Sequence, residues 1–413
     1  MMTETYTQLR LDCGAEFAAL PMPGRRTATY EIRVLAGMAH EPESLGGLAR
    51  IVEETITKGT EQRSAQELTD AFDALGANVG SGVGRESMVF RCSCLPEYVD
   101  HALGLHAEML RTPSFPQEYC EVALDLAQQE LTSLEDDPGE LARRLISPFA
   151  YGARLGRHEL GTRESLARIQ RDEIVGYWRD NFASARLQIV VGGAIDVHKV
   201  ASRVDQLFSA FGGSDGRQAP LTPDFSPGRR HHAKELEQQH ILICWPGVPM
   251  THADHPVERI MLGVLGEGMS SRLFAEVREK QGLVYWVGAW DEHPRTSGRV
   301  FLGASTTPAR CDQTYKTLLR EVDRLAEDLT VEEVERTKIG IIAKTQTHGD
   351  ITRARVGELG SDLFFYGRPV PVAEKNARLA AVTVADVRRY LNDHPRDPLC
   401  VQTLGPRALE DAA

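Results

Sequence analysis

The chain echoes itself at a single spacing. Leu166, Ile169, Glu173, Ile174, Tyr177 and Gly192 recur as Leu379, Val382, Asp386, Val387, Tyr390 and Gly405, each 213 residues further on. A constant offset without a gap marks a duplicated domain, and 413 residues are enough for two halves with a core each. Between the halves, residues 213–232 are dense in Gly, Pro and Ser and lack apolar periodicity, which reads as a linker. The expected domains are therefore 1–212 and 233–413, joined by 213–232.

Within each half, alternating apolar residues predict strands at Tyr30 to Leu35, Met88 to Cys92, Leu187 to Val191, His240 to Trp245 and Arg299 to Leu302. Helical patterns run over 64–75, 97–111, 116–135, 308–327 and 331–346. Paired strands followed by runs of helices predict an α+β fold, in which each half is a mostly antiparallel sheet with helices packed on one face.

Charge and composition exclude several classes. The formal net charge of −12 would repel a polyphosphate backbone, so nucleic acid is not expected as a partner. Met1 to Tyr6 carry neither a basic nor an apolar leader, and no later stretch holds the roughly 20 apolar residues of a membrane span, so the expectation is a cytoplasmic protein with no membrane partner. Seven cysteines without a CxxC pair read as buried free thiols, not as a disulfide framework.

The chemistry-bearing stretch is 47–60, whose helical pattern places Arg50, Glu53 and Glu54 on one face. By itself such a trio is a solvated face carrying an i,i+4 ion pair of a few tenths of a kcal/mol. It also has the frame of an HxxEH zinc helix, where two His at i and i+4 bind the metal and the Glu between them is the general base. Arg50 and Glu54 occupy the two histidine positions here, and Arg has no lone pair to give a cation.

The surroundings extend the match. Gly47-Leu48-Ala49, Lys58-Gly59-Thr60, Arg63-Ser64-Ala65-Gln66-Glu67-Leu68, Ala74-Leu75-Gly76-Ala77, Arg85-Glu86-Ser87 and Met109-Leu110-Arg111-Thr112-Pro113 together resemble the N-terminal domain of the insulinase/pitrilysin metallopeptidases. In that family a later helix supplies the third zinc ligand, a Glu about 76 residues beyond the second histidine, and Glu130 stands in that place. An acidic residue usual seven positions earlier is Ala123 here. The resemblance implies a degenerate site of Arg50, Glu53, Glu54 and Glu130, with Arg50 holding the carboxylates where zinc would have been.

The resemblance continues through Gly266-Glu267-Gly268-Met269-Ser270-Ser271-Arg272-Leu273-Phe274 and Val277-Arg278-Glu279-Lys280-Gln281-Gly282-Leu283-Val284-Tyr285. In this family an Arg and a Tyr seven residues apart hold the substrate backbone and the oxyanion. Arg278 and Tyr285 match that pair. Without the flanking match they would read as a helix-end cation and a half-buried strand residue.

A ruined metal motif beside an intact Arg/Tyr pair implies the non-catalytic subunit of a heterodimeric zinc peptidase. Such a chain would be inactive alone, with no cofactor of its own. A partner carrying an intact HxxEH motif would hold the zinc, and peptide would be the substrate; self-pairing is the alternative assembly when the chain is alone. Two other readings stand beside this one: a purely structural or assembly subunit, and an active metallopeptidase with displaced ligands. Three further features are read as structural. Gly266-Glu267-Gly268 is a flexible turn that lets a peptide or partner approach, His231-His232 is solvated linker, and Cys92 and Cys94 share one packed face of a strand.

Overall fold

A computed structural model of the chain describes residues 5–212 and 219–410. The alternating segments form two sheets. The first has the spatial order β1 (Thr7–Arg10), β2 (Glu16–Pro21), β6 (Leu187–Gly193), β3 (Ala28–Val34), β5 (Met88–Cys94), β4 (Asn78–Val83). The second has the order β7 (Gly228–Ala233), β11 (Cys400–Gly405), β8 (Gln239–Gly247), β10 (Gly298–Thr306), β9 (Val284–Glu292). Leaving β1 aside, the orders match strand for strand. So do the directions: β2–β6 and β7–β11 are parallel, and every other neighbouring pair is antiparallel. The α+β class with mostly antiparallel sheets is as expected.

The echoed residues have the same jobs in both halves. Ile174 and Val387 are fully buried, and Tyr177 and Tyr390 are nearly so. The polar members of the echo, Glu173 and Asp386, cap their helices in the same way, accepting from the Gln170 and Thr383 amides at 3.0 and 2.9 Å. What repeats is a buried helix face together with its N-terminal cap.

Two compact units emerge, and neither is continuous in sequence. One takes residues 1–133, 157–219 and 347–371; the other takes 134–156, 220–346 and 372–413. Thus the helix Thr352–Tyr366 packs on the first sheet, setting Val356, Leu359 and Leu363 against Ala18, Leu20 and Val190. The alternate residues Phe17, Ala19, Ile189 and Val191 are equally buried on the opposite side, so this sheet is covered on both faces. In the second unit the helix Pro138–Leu155 lies against β8 and β11, and Arg299 Nε donates to the Ala150 carbonyl at 2.6 Å. The second core gathers Ile241, Ile243, Trp245, Ile260, Leu265, Leu302 and Leu318.

Of the stretch read as a linker, 213–218 lies outside the described residues, and 228–232 belongs to β7. As a sheet edge with exposed side chains, β7 has no apolar alternation by which its sequence could announce it. His231 is accordingly on a strand, its Nδ1 3.0 Å from Thr403 Oγ1. Six of the seven cysteines are buried and all are free, Cys92 and Cys94 among them. Among the described residues, no helix is long and apolar enough to cross a membrane.

Candidate functional site

The helix Leu48–Thr55 starts at Gly47, whose φ of 94° suits glycine; a Cβ there would also lie 3.1 Å from Leu166 Cδ2. Leu48, Ile51, Val52 and Thr55 make its buried stripe, which leaves Arg50 and Glu54 toward the helix Gln117–Glu135. Arg50 Nη1 lies 2.7 Å from Glu53 Oε2 and 3.3 Å from Glu54 Oε2, and Nη2 lies 3.9 Å from Glu130 Oε1. Lys58 adds a second cation, 2.8 Å from Glu54 Oε1. The structure therefore brings Arg50, Glu53, Glu54 and Glu130 together. Ala123 lines the same small cavity, of about 60 Å³, and offers it no polar atom.

Burial disfavours the Arg50 charge, but Glu53, Glu130 and Glu54 outweigh it and hold the guanidinium above its ordinary pKa. Burial likewise works against ionised Glu54, and Lys58 and Arg50 overcome it, so that carboxyl titrates below its usual range. These residues do not fit a zinc ion. One position of the ligand frame is a permanent cation already ion-paired with the carboxylates that a metal would need, and a guanidinium cannot act as a Lewis acid on water. The arrangement is an ion-paired cluster along the helix Leu48–Thr55, with Glu130 of the helix Gln117–Glu135 at its exposed edge.

The second unit holds Arg278 in the wide, π-type helix Leu273–Lys280 and Tyr285 in β9. The turn joining them is ordered from below. Val277 and Leu283 are buried, Leu283 N donates to the Val277 carbonyl at 3.0 Å, and Gly282 takes a φ of 57°. Above this turn the side chains stay open. The Arg278 guanidinium sits 5.8 Å from the Tyr285 ring centre and 4.9 Å from that of Phe274, and Tyr285 is 76% exposed. Neither side chain makes a hydrogen bond or ion pair among the described residues, so both retain donors for something else. Tyr285 also borders a cleft of about 610 Å³ with Trp286, Leu242, Ser305 and Arg143. The glycines of 266–268 divide: Gly266 lies against β9, where a Cβ would be 2.5 Å from Ala289 N, and Gly268 has open space. What closes on Gly266 is the chain's own strand.

Sequence reasoning missed two groups of imidazoles and carboxylates: His255, Asp291 and His293, and His252, Asp254 and His394. The pairs His252-x-Asp254 and Asp291-x-His293 are visible in the sequence, but nothing in it brings a helix start beside a strand end.

Residues 17–163 match the model of the insulinase family (peptidase family M16), and residues 168–341 match that of the peptidase M16 inactive domain. The chain is 28% identical over 401 residues to an uncharacterized zinc protease of Streptomyces coelicolor, covering 94% of this chain and 87% of that protein. It is 25% identical over 399 residues to the mitochondrial-processing peptidase subunit beta of Dictyostelium discoideum, covering 92% and 85%. A crystal structure of a peptidase M16 inactive domain from Pseudomonas fluorescens superposes with a TM-score of 0.89 at 20% identity, over 99% of this chain and all of that one. From Phe17 to Ile341 the chain follows these two models, and it belongs to the insulinase family of peptidases.

Proposed function

We propose that this chain is the non-catalytic, peptide-binding subunit of a cytoplasmic, heterodimeric insulinase-family zinc peptidase. A partner chain supplies the HxxEH zinc site, and Arg278 and Tyr285 supply donors to the peptide carbonyl as it becomes an oxyanion. The observation that carries this reading is the contrast between two sites. At residue 50 every charge is matched internally, whereas Arg278 and Tyr285 stand open with unused N–H and O–H groups. A scaffold subunit has no need of an exposed pair of donors held over an ordered turn. The similarity to a processing-peptidase subunit supports an assembly of unlike chains.

Donors aimed at a developing oxyanion act mainly in the transition state, and loss of one typically slows turnover about 100- to 1,000-fold. Reconstituted with an HxxEH partner, the pair is expected to cleave unstructured peptides. Arg278→Ala or Tyr285→Phe should cut kcat by about that factor and leave assembly intact. Undiminished turnover in both variants, in a complex shown to be one-to-one, would favour the structural subunit instead.

A further inference from the structure

We propose that His255, Asp291 and His293 form a second-unit site for a divalent cation of the zinc class. Nothing in the degenerate frame around Arg50 contributes to it, and it stands independently of the peptidase-subunit reading. It departs from the expectation of a chain without a cofactor, which rested on the residues of that frame alone.

The geometry is that of a ligand set. His255 opens the helix His255–Gly266, and Asp291 and His293 lie at the end of β9 and just beyond it. His293 Nε2 is 3.0 Å and His255 Nε2 3.9 Å from the same Asp291 oxygen, Oδ2. The three donor atoms all lie within 4.8 Å of one another. A tetrahedral ion with bonds of about 2.0–2.1 Å sets its donors roughly 3.3 Å apart, and the two measured separations bracket that spacing. The imidazole rings meet at 72° with centres 5.0 Å apart, an edge approach that avoids stacking. Three protein ligands leave the fourth position to water.

The surroundings supply what the ligands would need. The His293 side chain is 6% exposed and its Nδ1 is buried without a partner among the described residues. Metal on Nε2 would place the proton on Nδ1, where it requires an acceptor. Glu258, one turn along the helix from His255 and fully buried, holds such an acceptor. Its Oε2 receives the Val248 amide at 3.0 Å and the Tyr390 hydroxyl, while its Oε1 is buried without a partner. Its charge interacts with both His293 and Asp291. The buried His293 Nδ1 and Glu258 Oε1 are thus both without a partner among the described residues, and Nδ1 becomes a donor once Nε2 takes the metal.

Arg378 and Arg259 face His255, but Arg259 is engaged by Glu267 at 3.2 Å and Arg378 by the His252 carbonyl at 3.4 Å. The neighbouring trio of His252, Asp254 and His394 is the weaker candidate. Arg389 already bonds both Asp254 oxygens, at 2.7 and 3.2 Å, and neutralises the charge a cation would use. Without a cation, His255, Asp291 and His293 would be a hydrogen-bonded patch tying β9 to the helix.

The test uses the full chain, stripped by chelator and titrated with Zn²⁺ by calorimetry and with Co²⁺ by visible absorption. One equivalent should bind, and Co²⁺ should give a tetrahedral spectrum. His255→Gln and Asp291→Asn should each weaken binding about 100-fold or more, and Glu258→Gln, acting through His293, about 10- to 100-fold. His252→Gln and Glu130→Gln should change nothing. Circular dichroism melts check each variant, and His255, 18% exposed, is the substitution least apt to disturb folding. Absence of saturable uptake, or uptake that survives His255→Gln and Asp291→Asn, overturns the site. Uptake lost on Glu130→Gln overturns it too, by placing the ion at the Arg50 frame and against the proposed subunit role.

Discussion

At residue 50 a guanidinium sits among three carboxylates, and burial decides which contact matters. Glu130 is 51% exposed, so its 3.9 Å pairing is that of a surface ion pair and contributes little. The Glu53 side chain is 6% exposed, and the Arg50 contact at 2.7 Å is its one hydrogen-bonding partner among the described residues. Removing a partner from a buried charge costs more than the pair contributed. Arg50→Ala should therefore destabilise the fold by about 1–3 kcal/mol, measured by urea denaturation, and adding Glu53→Gln should recover most of the loss. A change within about 0.5 kcal/mol of wild type would mean that the Arg50–Glu53 contact is worth no more than a surface pair. The register that leads from Glu54 to Glu130 was legible in the sequence, as was the loss of a metal ligand at Arg50. Which carboxylate is buried was not, because exposure is set by how the helix Leu48–Thr55 packs against elements distant in sequence, the helix Arg171–Asn181 and β4 among them.

Among the elements, β9 has the most consequence. It carries Tyr285 near its start and Asp291 near its end, it forms one edge of the second sheet, and it packs on the helix His255–Gly266 through a glycine. A methyl group on Gly266 would meet the backbone of Ala289 at 2.5 Å, and backbone cannot swing aside as a side chain can. Gly266→Ala should thus cost about 1–3 kcal/mol and lower the Tm, whereas Gly268→Ala meets open space and pays only for its φ of 87°. Equal melting of the two variants would show that β9 is free to move away from the helix. From sequence alone 266–268 is simply a flexible turn; the nearness of β9 emerges only when strand and helix are packed together.

For the whole molecule, Glu41 gives stability a pH dependence. This residue precedes the helix Leu48–Thr55, accepts the Ala49 amide at 2.8 Å, and is buried; burial raises its pKa to about 7 against the usual 4.5. The folded state then holds a proton that the unfolded state has released, so this contribution is full below about pH 4.5 and fades as pH rises through 7. Its span is on the order of 3 kcal/mol. Glu41→Gln, which keeps the acceptor and removes the charge, should flatten the stability profile between pH 5 and 8 and stabilise the protein at the upper end. An unchanged profile would show that Glu41 ionises freely in the fold.

Periodicity and the 213-residue offset were enough, without coordinates, to determine two related α+β halves, because alternation, helical stripes and capping residues are local properties of the chain. Tyr177 and Tyr390 with Glu173 and Asp386 show how much of a repeat consists of one buried face and one cap. Tertiary structure decided the rest. The helices Pro138–Leu155 and Thr352–Tyr366 each join a sheet built mostly from the other half of the sequence, and β7 takes its place through pairing with β11 despite a polar sequence. The meeting of His255 with Asp291 and His293 belongs to the same class of event. Each depends on which surfaces bury one another across long separations, and sequence spacing carries no record of that choice.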